Sequence, residues 1–232
     1  MLWHRLTTII RISEILKPRS VLPPLSAIHL LLCSAVVASG FTVLENFEAY
    51  SNEAFPSKWR CRSDEARKIY RVESEGGNRF LRAYADKQAF QIGLEHIFDP
   101  RQQRRLTWRW RVRKLPQGAD ERDANKHDSA AQVYVVFDNQ YWPRILKYIW
   151  SSELPAGTHF TNPLYSRGQV IVLRNGQSQK DRWFEEEVNF YEDYRRLFAA
   201  EPGKVQGIGI LTSSDSTQSV ASADYDDFTL LP

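Results

Sequence analysis

Aromatic rings and charged side chains are concentrated in the middle of the sequence, in a combination that proteins use to bind sugars. A flat ring covers the apolar C–H face of a sugar, while polar neighbours bond its hydroxyls. The rings are Trp108, Trp110, Tyr134, Tyr141, Trp142, Tyr148, Trp150 and Trp183, and the polar candidates are Arg109, Arg111, Asp128, Lys147 and Arg174. From these two sets we predict ligand contacts at Arg109, Arg111, Asp128, Tyr134, Lys147 and Trp150.

The alternative is that these rings form the core. In an extended strand Trp108 and Trp110 share one face, and Arg109 and Arg111 share the other. If the tryptophans point inward, the arginines form an outward stripe. Such a stripe is either a solvated surface or the lining of a binding groove.

Four titratable residues cluster where a polar loop meets a strand: Asp120, Asp123, His127 and Asp128. A histidine beside a carboxylate could transfer protons near neutral pH. Adjacent strand residues point to opposite faces, however, so His127 and Asp128 are not expected to pair. The sequence has no phosphate-binding loop, zinc-ligand spacing or nucleophile elbow. We therefore assign no catalytic residue.

The net charge of +3 belongs to the first forty residues. They hold Arg5, Arg11, Lys17 and Arg19 against Glu14, which leaves 27 basic and 27 acidic residues in the rest of the chain. The whole-chain pI of about 8.8 is therefore no argument for a nucleic-acid partner.

The same forty residues resemble a signal peptide. An apolar stretch runs from Leu25 to Ala38, shorter than the roughly twenty residues that span a bilayer. Small residues follow at Ser39 and Gly40, as a signal peptidase site requires. We predict a leader over 1–40, a single domain over 41–232 and a periplasmic or secreted protein. An uncleaved membrane anchor is the alternative.

After Gly40, short stretches alternate apolar and polar residues between turn signals, which predicts an all-β, antiparallel β-sandwich. One segment differs: Phe190, Tyr194 and Phe198 are four apart, which predicts a short amphipathic helix over 190–199. The predicted strands are Phe41–Glu48, Ile69–Glu73, Arg79–Ala85, Ala89–His96, Arg105–Val112, Ala130–Phe137, Ile145–Trp150, Gln169–Leu173, Trp183–Val188, Val205–Leu211 and Asp224–Leu230.

Several segments carry a resemblance to a known family: LTWRWRV from Leu106, LPQGAD from Leu115, HDSAAQVYVVF from His127, VNFYEDY from Val188 and ADYDDF from Ala223. In their order and spacing, residues 41–232 resemble DUF3047, a family of uncharacterised exported bacterial proteins. The resemblance implies a fold and a compartment and no reaction.

A looser likeness concerns the two ends of the domain. Glu45–Glu48 opens it and the acidic stretch Asp224–Phe228 closes it, which is similar to galactose-binding-like jelly rolls of carbohydrate-binding modules. In many of those, the first and last strands pair and hold a structural calcium ion, which prefers oxygen ligands. The likeness implies calcium ligands at Glu48, Asp226 and Asp227; solvated strand ends are the alternative.

Three functions are compatible with these observations. The first is a non-catalytic envelope protein that binds carbohydrate or another envelope component. The second is a jelly-roll lyase or hydrolase acting on acidic polysaccharide, with arginines that neutralise a uronate. The third is a structural or assembly protein that binds a protein partner, for example through the helix near Tyr191–Phe198.

Overall fold

The computed structural model describes residues 40–138 and 141–232, so all of the predicted leader except Gly40 lies outside the described residues. The described part contains two helices, α1 (Ala66–Ile69) and α2 (Phe190–Phe198). Neither helix has the length and apolarity that a membrane crossing requires. The strands are β1 (Thr42–Glu45), β2 (Tyr70–Glu75), β3 (Asn78–Asp86), β4 (Ile92–Phe98), β5 (Arg105–Lys114), β6 (Ala131–Phe137), β7 (Arg144–Ser151), β8 (His159–Thr161), β9 (Gly168–Asn175), β10 (Phe184–Val188), β11 (Val205–Leu211) and β12 (Val220–Leu231).

The strands form two facing sheets, which confirms the predicted jelly-roll sandwich. Sheet A has the order β10-β5-β12-β3-β2, with β1 also paired to β12, and sheet B has the order β4-β11-β6-β7-β9-β8. One pair differs from the antiparallel prediction, because β7 and β9 run parallel. The chain returns to the same end of the sandwich through the 152–167 segment, which adds the short strand β8 that the sequence analysis missed.

Large rings from both sheets fill the space between them. Trp108 and Trp110 of sheet A are fully buried, and so are Tyr148 and Trp150 of sheet B. The centroids of the Trp110 and Trp150 rings are 6.1 Å apart across the sandwich, in an edge-on contact. The core interpretation of the β5 tryptophans is therefore correct, and the arginines between them point outward.

Helix α2 packs against one end of the sandwich, as its spacing predicts. The side chain of Asn189 accepts a hydrogen bond from the backbone N–H of Glu192 at 3.0 Å, which caps the first turn. The Tyr194 ring packs at a tilt against Phe137 with ring centroids 4.7 Å apart, and Phe190 packs on the same ring. The helix ends where Ala199 adopts a left-handed conformation.

Sheet B is buried on its outer face as well as its inner face. Every residue of β6 is buried, including Tyr134 and Val136, whose side chains point away from the core. The covering segments are residues 115–130 and 152–167, which lie over β6, β7 and β9. The outer face of sheet B and the segments that cover it therefore form a second, smaller core. The predicted ligand contacts Tyr134 and Lys147 lie in this core.

Candidate functional site

The structure divides the predicted ligand contacts among three places. Arg109 and Arg111 lie on the outer face of sheet A. Asp128, Tyr134 and Lys147 lie on the outer face of sheet B, on the opposite side of the molecule. Trp150 is fully buried between the sheets. As a correction, Trp150 is a core residue and reaches neither outer face.

Arg111 belongs to an ion-pair network centred on Asp224. This fully buried carboxylate accepts from the Nε atoms of Arg82, Arg111 and Arg113 at 2.8, 2.9 and 2.9 Å. Arg111 also pairs with Glu75 at 2.7 Å. The outward-facing arginines of β5 therefore already form ion pairs with carboxylates of the protein itself.

Arg109 forms ion pairs with two of the three acids predicted as calcium ligands, Asp226 and Asp227. Its guanidinium lies 2.7 Å from Asp226 Oδ2 and 2.8 Å from Asp227 Oδ2. Glu48 instead accepts from the backbone N–H of Arg79 at 2.8 Å. Strands β1 and β12 do pair, as that likeness implied. Among the described residues no group of three or more His, Cys, Asp or Glu side chains is arranged to hold a metal ion, and the calcium site stays a prediction.

The outer face of sheet B holds a buried polar group that we call the Lys147 cluster: Lys147, His127, Glu121, Tyr134 and Asp128. The Nζ of Lys147 lies 2.9 Å from His127 Nε2 and 5.6 Å from the centre of the Tyr134 ring. His127 Nδ1 bonds the carbonyl oxygen of Glu121. Since a carbonyl can only accept, Nδ1 carries the proton and Nε2 accepts from Lys147.

Burial sets the protonation of this cluster. It lowers the pKa of Lys147 to about 7, although the carboxylates of Glu121 and Asp128 act in the opposite direction. Burial also lowers the pKa of His127 well below its usual value, and the neighbouring Lys147 lowers it further. Burial raises the pKa of Glu121, opposed by its hydrogen bond from Ser151. The His127–Lys147 pair therefore carries at most one positive charge near pH 7.

The same contacts fasten the 115–130 segment to sheet B. Ser151 Oγ donates to Glu121 Oε2 at 2.7 Å, and the backbone N–H of Ser152 donates to the other carboxylate oxygen. Asp128 faces a different segment, where it accepts from Thr217 N and Oγ1, both at 2.7 Å. His127 and Asp128 do not pair with each other, as expected, although both lie just before β6 and not within a strand. Glu121 was not singled out from the sequence, where nothing distinguishes it from its exposed acidic neighbours.

Only two of the eight predicted rings are exposed, and they are adjacent. Tyr141 and Trp142, in the connection between β6 and β7, are 71% and 52% exposed. Trp142 lies edge-on to Tyr165, with ring centroids 6.3 Å apart, and the Tyr165 hydroxyl donates to the Pro143 carbonyl at 2.5 Å. Tyr165 thus supports the Trp142 ring from the side of sheet B.

Two arginines lie at the same rim as these rings, and one of them, Arg167, contacts the Tyr165 side chain against which Trp142 packs. Arg144 begins β7, and Arg167 immediately precedes β9; the backbone N–H of Ile145 donates to the Arg167 carbonyl at 3.1 Å. Both arginines approach Asp138, at 4.0 and 3.7 Å. We call this set the Trp142 surface: Asp138, Tyr141, Trp142, Arg144, Tyr165 and Arg167. Tyr141 and Trp142 belong to the aromatic set read from the sequence but were not among the predicted ligand contacts. Neither arginine was predicted here, because only the parallel pairing of β7 and β9 brings them together.

Comparison with known proteins gives a family and distant structural likenesses. The model of a family described as "Protein of unknown function (DUF3047)" matches residues 57–229. No curated protein matches the chain.

Among solved structures, the carbohydrate recognition domain of Emp47p is 10% identical, with a TM-score of 0.44, and the match covers 84% of this chain and 97% of that one. The module TmCBM61, solved with beta-1,4-galactotriose, is 12% identical, with a TM-score of 0.35 and coverage of 75% and 88%. A variant of the Cel12A cellulase of Rhodothermus marinus is 13% identical, with a TM-score of 0.41 and coverage of 83% and 92%. Likenesses at this level assign no ligand or activity to this chain.

Proposed function

Since the chain belongs to the DUF3047 family, whose description assigns no function, we propose from the site itself that the protein is a non-catalytic carbohydrate-binding domain. The observation that carries this proposal is the exposure of Tyr141 and Trp142 beside each other at one rim of the sandwich. Adjacent large rings that are exposed to solvent favour a binding surface. Their polar neighbours Arg144 and Arg167 can bond hydroxyls while the rings cover a C–H face.

Catalysis at the Lys147 cluster is a less suitable reading of the same sheet. Lys147, His127 and Tyr134 are each less than a tenth exposed, so they present almost no surface to a polymer. Their hydrogen bonds also hold the covering segment in place, which gives them a structural role.

Protein binding through α2 is likewise disfavoured. Phe190, Tyr191 and Tyr194 are buried against the sandwich, so the apolar face of this helix is already covered.

We further propose that the protein is exported, with residues 1–40 removed, and that its ligand is a glycan of the cell envelope or of the surroundings. Expression of the full chain in a bacterium, followed by fractionation and N-terminal sequencing, tests this. A mature chain beginning between Ser39 and Phe41 in the periplasm or medium is the expected result. An uncut chain in the cytoplasm would contradict it.

Affinity electrophoresis through gels containing neutral and acidic polysaccharides tests the binding function. We expect at least one polysaccharide to retard the protein and Trp142→Ala to abolish most of the retardation. Tyr84→Ala is the matched control, because Tyr84 is 49% exposed on the outer face of sheet A, away from the Trp142 surface. The proposal fails if no polysaccharide retards the protein, or if the two variants behave alike.

A further inference from the structure

The two arginines of the Trp142 surface share one carboxylate. Arg144 and Arg167 are neighbours because β7 and β9 run parallel, which puts the beginnings of both strands at the same rim. Each guanidinium approaches Asp138 Oδ2, from 4.0 and 3.7 Å respectively. Two positive charges against one negative charge leave an excess of one positive charge beside the exposed rings.

Asp138 is also a poor partner for these arginines. Both separations exceed hydrogen-bond length, so the carboxylate gives neither guanidinium a close bidentate contact. Asp138 is approached at the same time by the Tyr194 hydroxyl at 3.3 Å and by the backbone N–H of Gly203 at 3.4 Å. The contrast with Asp224, which three arginines approach at 2.8 to 2.9 Å, is clear.

Guanidinium groups that lack a close carboxylate within the protein can bind a carboxylate that a ligand supplies. Arg144 donates to the Tyr194 hydroxyl at 2.8 Å through Nη1, and its guanidinium lies over the Tyr194 and Phe198 rings, which position a side chain that is 30% exposed. Arg167 is 29% exposed; its Nε is buried and has no hydrogen-bond partner among the described residues, and its guanidinium also contacts the Tyr165 side chain, so its exposed part is what a ligand can reach. A planar carboxylate fits the guanidinium fork in a way that a hydroxyl does not.

Building on the proposed carbohydrate binding, we propose that the Trp142 surface selects acidic sugars. The ring of a uronic acid residue stacks on Trp142 or Tyr141, and its carboxylate accepts hydrogen bonds from Arg144 and Arg167. A neutral sugar of the same shape stacks equally well and leaves the excess positive charge unpaired.

Matched polymers test this without altering the protein. Polygalacturonate, alginate and hyaluronan are each compared with the same polymer after its carboxylates are reduced to primary alcohols, by affinity electrophoresis and by titration calorimetry of the oligomers. We expect at least one acidic polymer to bind tenfold or more tightly than its reduced form, since a hydrogen bond to a charged group contributes enough for that ratio. The preference should weaken as salt is added.

Single-residue variants test whether the preference for acidic polymers arises at the Trp142 surface. Arg167→Gln should remove most of the difference between the acidic and reduced polymers, and Arg71→Gln, at an exposed arginine of sheet A, should leave it unchanged. Arg167→Lys, which keeps the charge and loses the fork, should give an intermediate ratio. Equal binding of acidic and reduced polymers overturns acidic selectivity and leaves carbohydrate binding standing. Absence of binding to any polymer, acidic or neutral, overturns both proposals.

Discussion

The Nζ of Lys147 lies 2.9 Å from the Nε2 of His127, and both side chains are buried beneath the segment that covers sheet B. Two groups that are both cationic at low pH are thus held in contact where water is scarce. The folded state tolerates this pair because Lys147 donates one hydrogen bond to an uncharged imidazole. Protonation of both groups at once is disfavoured, so folding stability should depend on pH at this position.

Lys147 should make the protein more stable as the pH rises above neutrality. Its pKa is about 7 in the folded state and near 10.4 in the unfolded chain, so the unfolded state binds more protons between these values. The free energy of unfolding should then increase with pH, by at most about 1.4 kcal/mol per pH unit. Urea denaturation at pH 7, 8 and 9 measures this slope. Lys147→Met should flatten it, whereas Lys204→Met, which removes an exposed lysine, should not; equal slopes in all three proteins would contradict the assignment.

His127 should make the protein less stable in acid. Burial and Lys147 lower its pKa below the unfolded value of about 6.5, so stability present above pH 6.5 is lost as the pH falls toward the folded-state pKa. Glu121 acts in the opposite sense, because its raised pKa favours folding at low pH.

The difference between the wild type and His127→Gln isolates the histidine. Thermal unfolding of both proteins between pH 7 and 5 should show a smaller decrease for the variant. His159→Gln is the control, since His159 is an exposed residue of β8. A wild-type curve parallel to that of His127→Gln would mean that His127 is not the group that titrates.

Removal of the Asp224 charge should lower the free energy of unfolding strongly. Asp224→Asn leaves three arginines around a fully buried amide, and breaking a buried ion pair typically costs about 3 kcal/mol or more of unfolding free energy. Asp227→Asn is the control: Asp227 is half exposed, pairs only with Arg109 among the described residues, and has a positive φ that asparagine tolerates. We expect the control to cost less than about 1 kcal/mol in the same denaturant titration. Similar values for both variants would show that the network is not centred on Asp224.

Calcium should leave the melting temperature of the wild-type protein unchanged. Burial raises the pKa of Asp226 to about 6, with a further contribution from Asp227, while Asn78 and Arg109 stabilise the charged form. The guanidinium of Arg109 thus already serves as the counter-charge for the two aspartates. Melting curves with calcium chloride and with a chelator test this. A rise with calcium in the wild type would support the calcium site predicted at Glu48, Asp226 and Asp227, and a rise only in Arg109→Gln would show that arginine and metal compete.

The alternation of side chains was enough to predict most of the fold. Trp108 and Trp110 face the core because residues two apart on a strand share a face, and burying two large rings outweighs any other use of them. The helix over Phe190–Phe198 was predictable for the same reason, since side chains four apart make one apolar stripe. The facing of strand residues and the stripe of the helix are local properties, and each depends on a few consecutive residues.

The candidate site was predictable only in part. Tyr141 and Trp142 were recognisable as rings, but no local pattern distinguishes them from Tyr148 and Trp150, which are buried. Exposure depends on what covers a residue, and the covering segments come from elsewhere in the chain. The outer face of β7 shows this well: Lys147 is buried there by a segment that begins some thirty residues earlier.

The amino-acid sequence by itself determined the β-sandwich, the inward face of β5 and the position of the helix over Phe190–Phe198, because these follow from the periodicity of apolar residues. Only the tertiary structure decided which charges meet. Arg144 is beside Arg167 because β7 and β9 pair in parallel, and Lys147 contacts His127 because a loop folds back over sheet B. Such contacts depend on the order of strands and the paths of connections, for which hydrophobic periodicity carries no information.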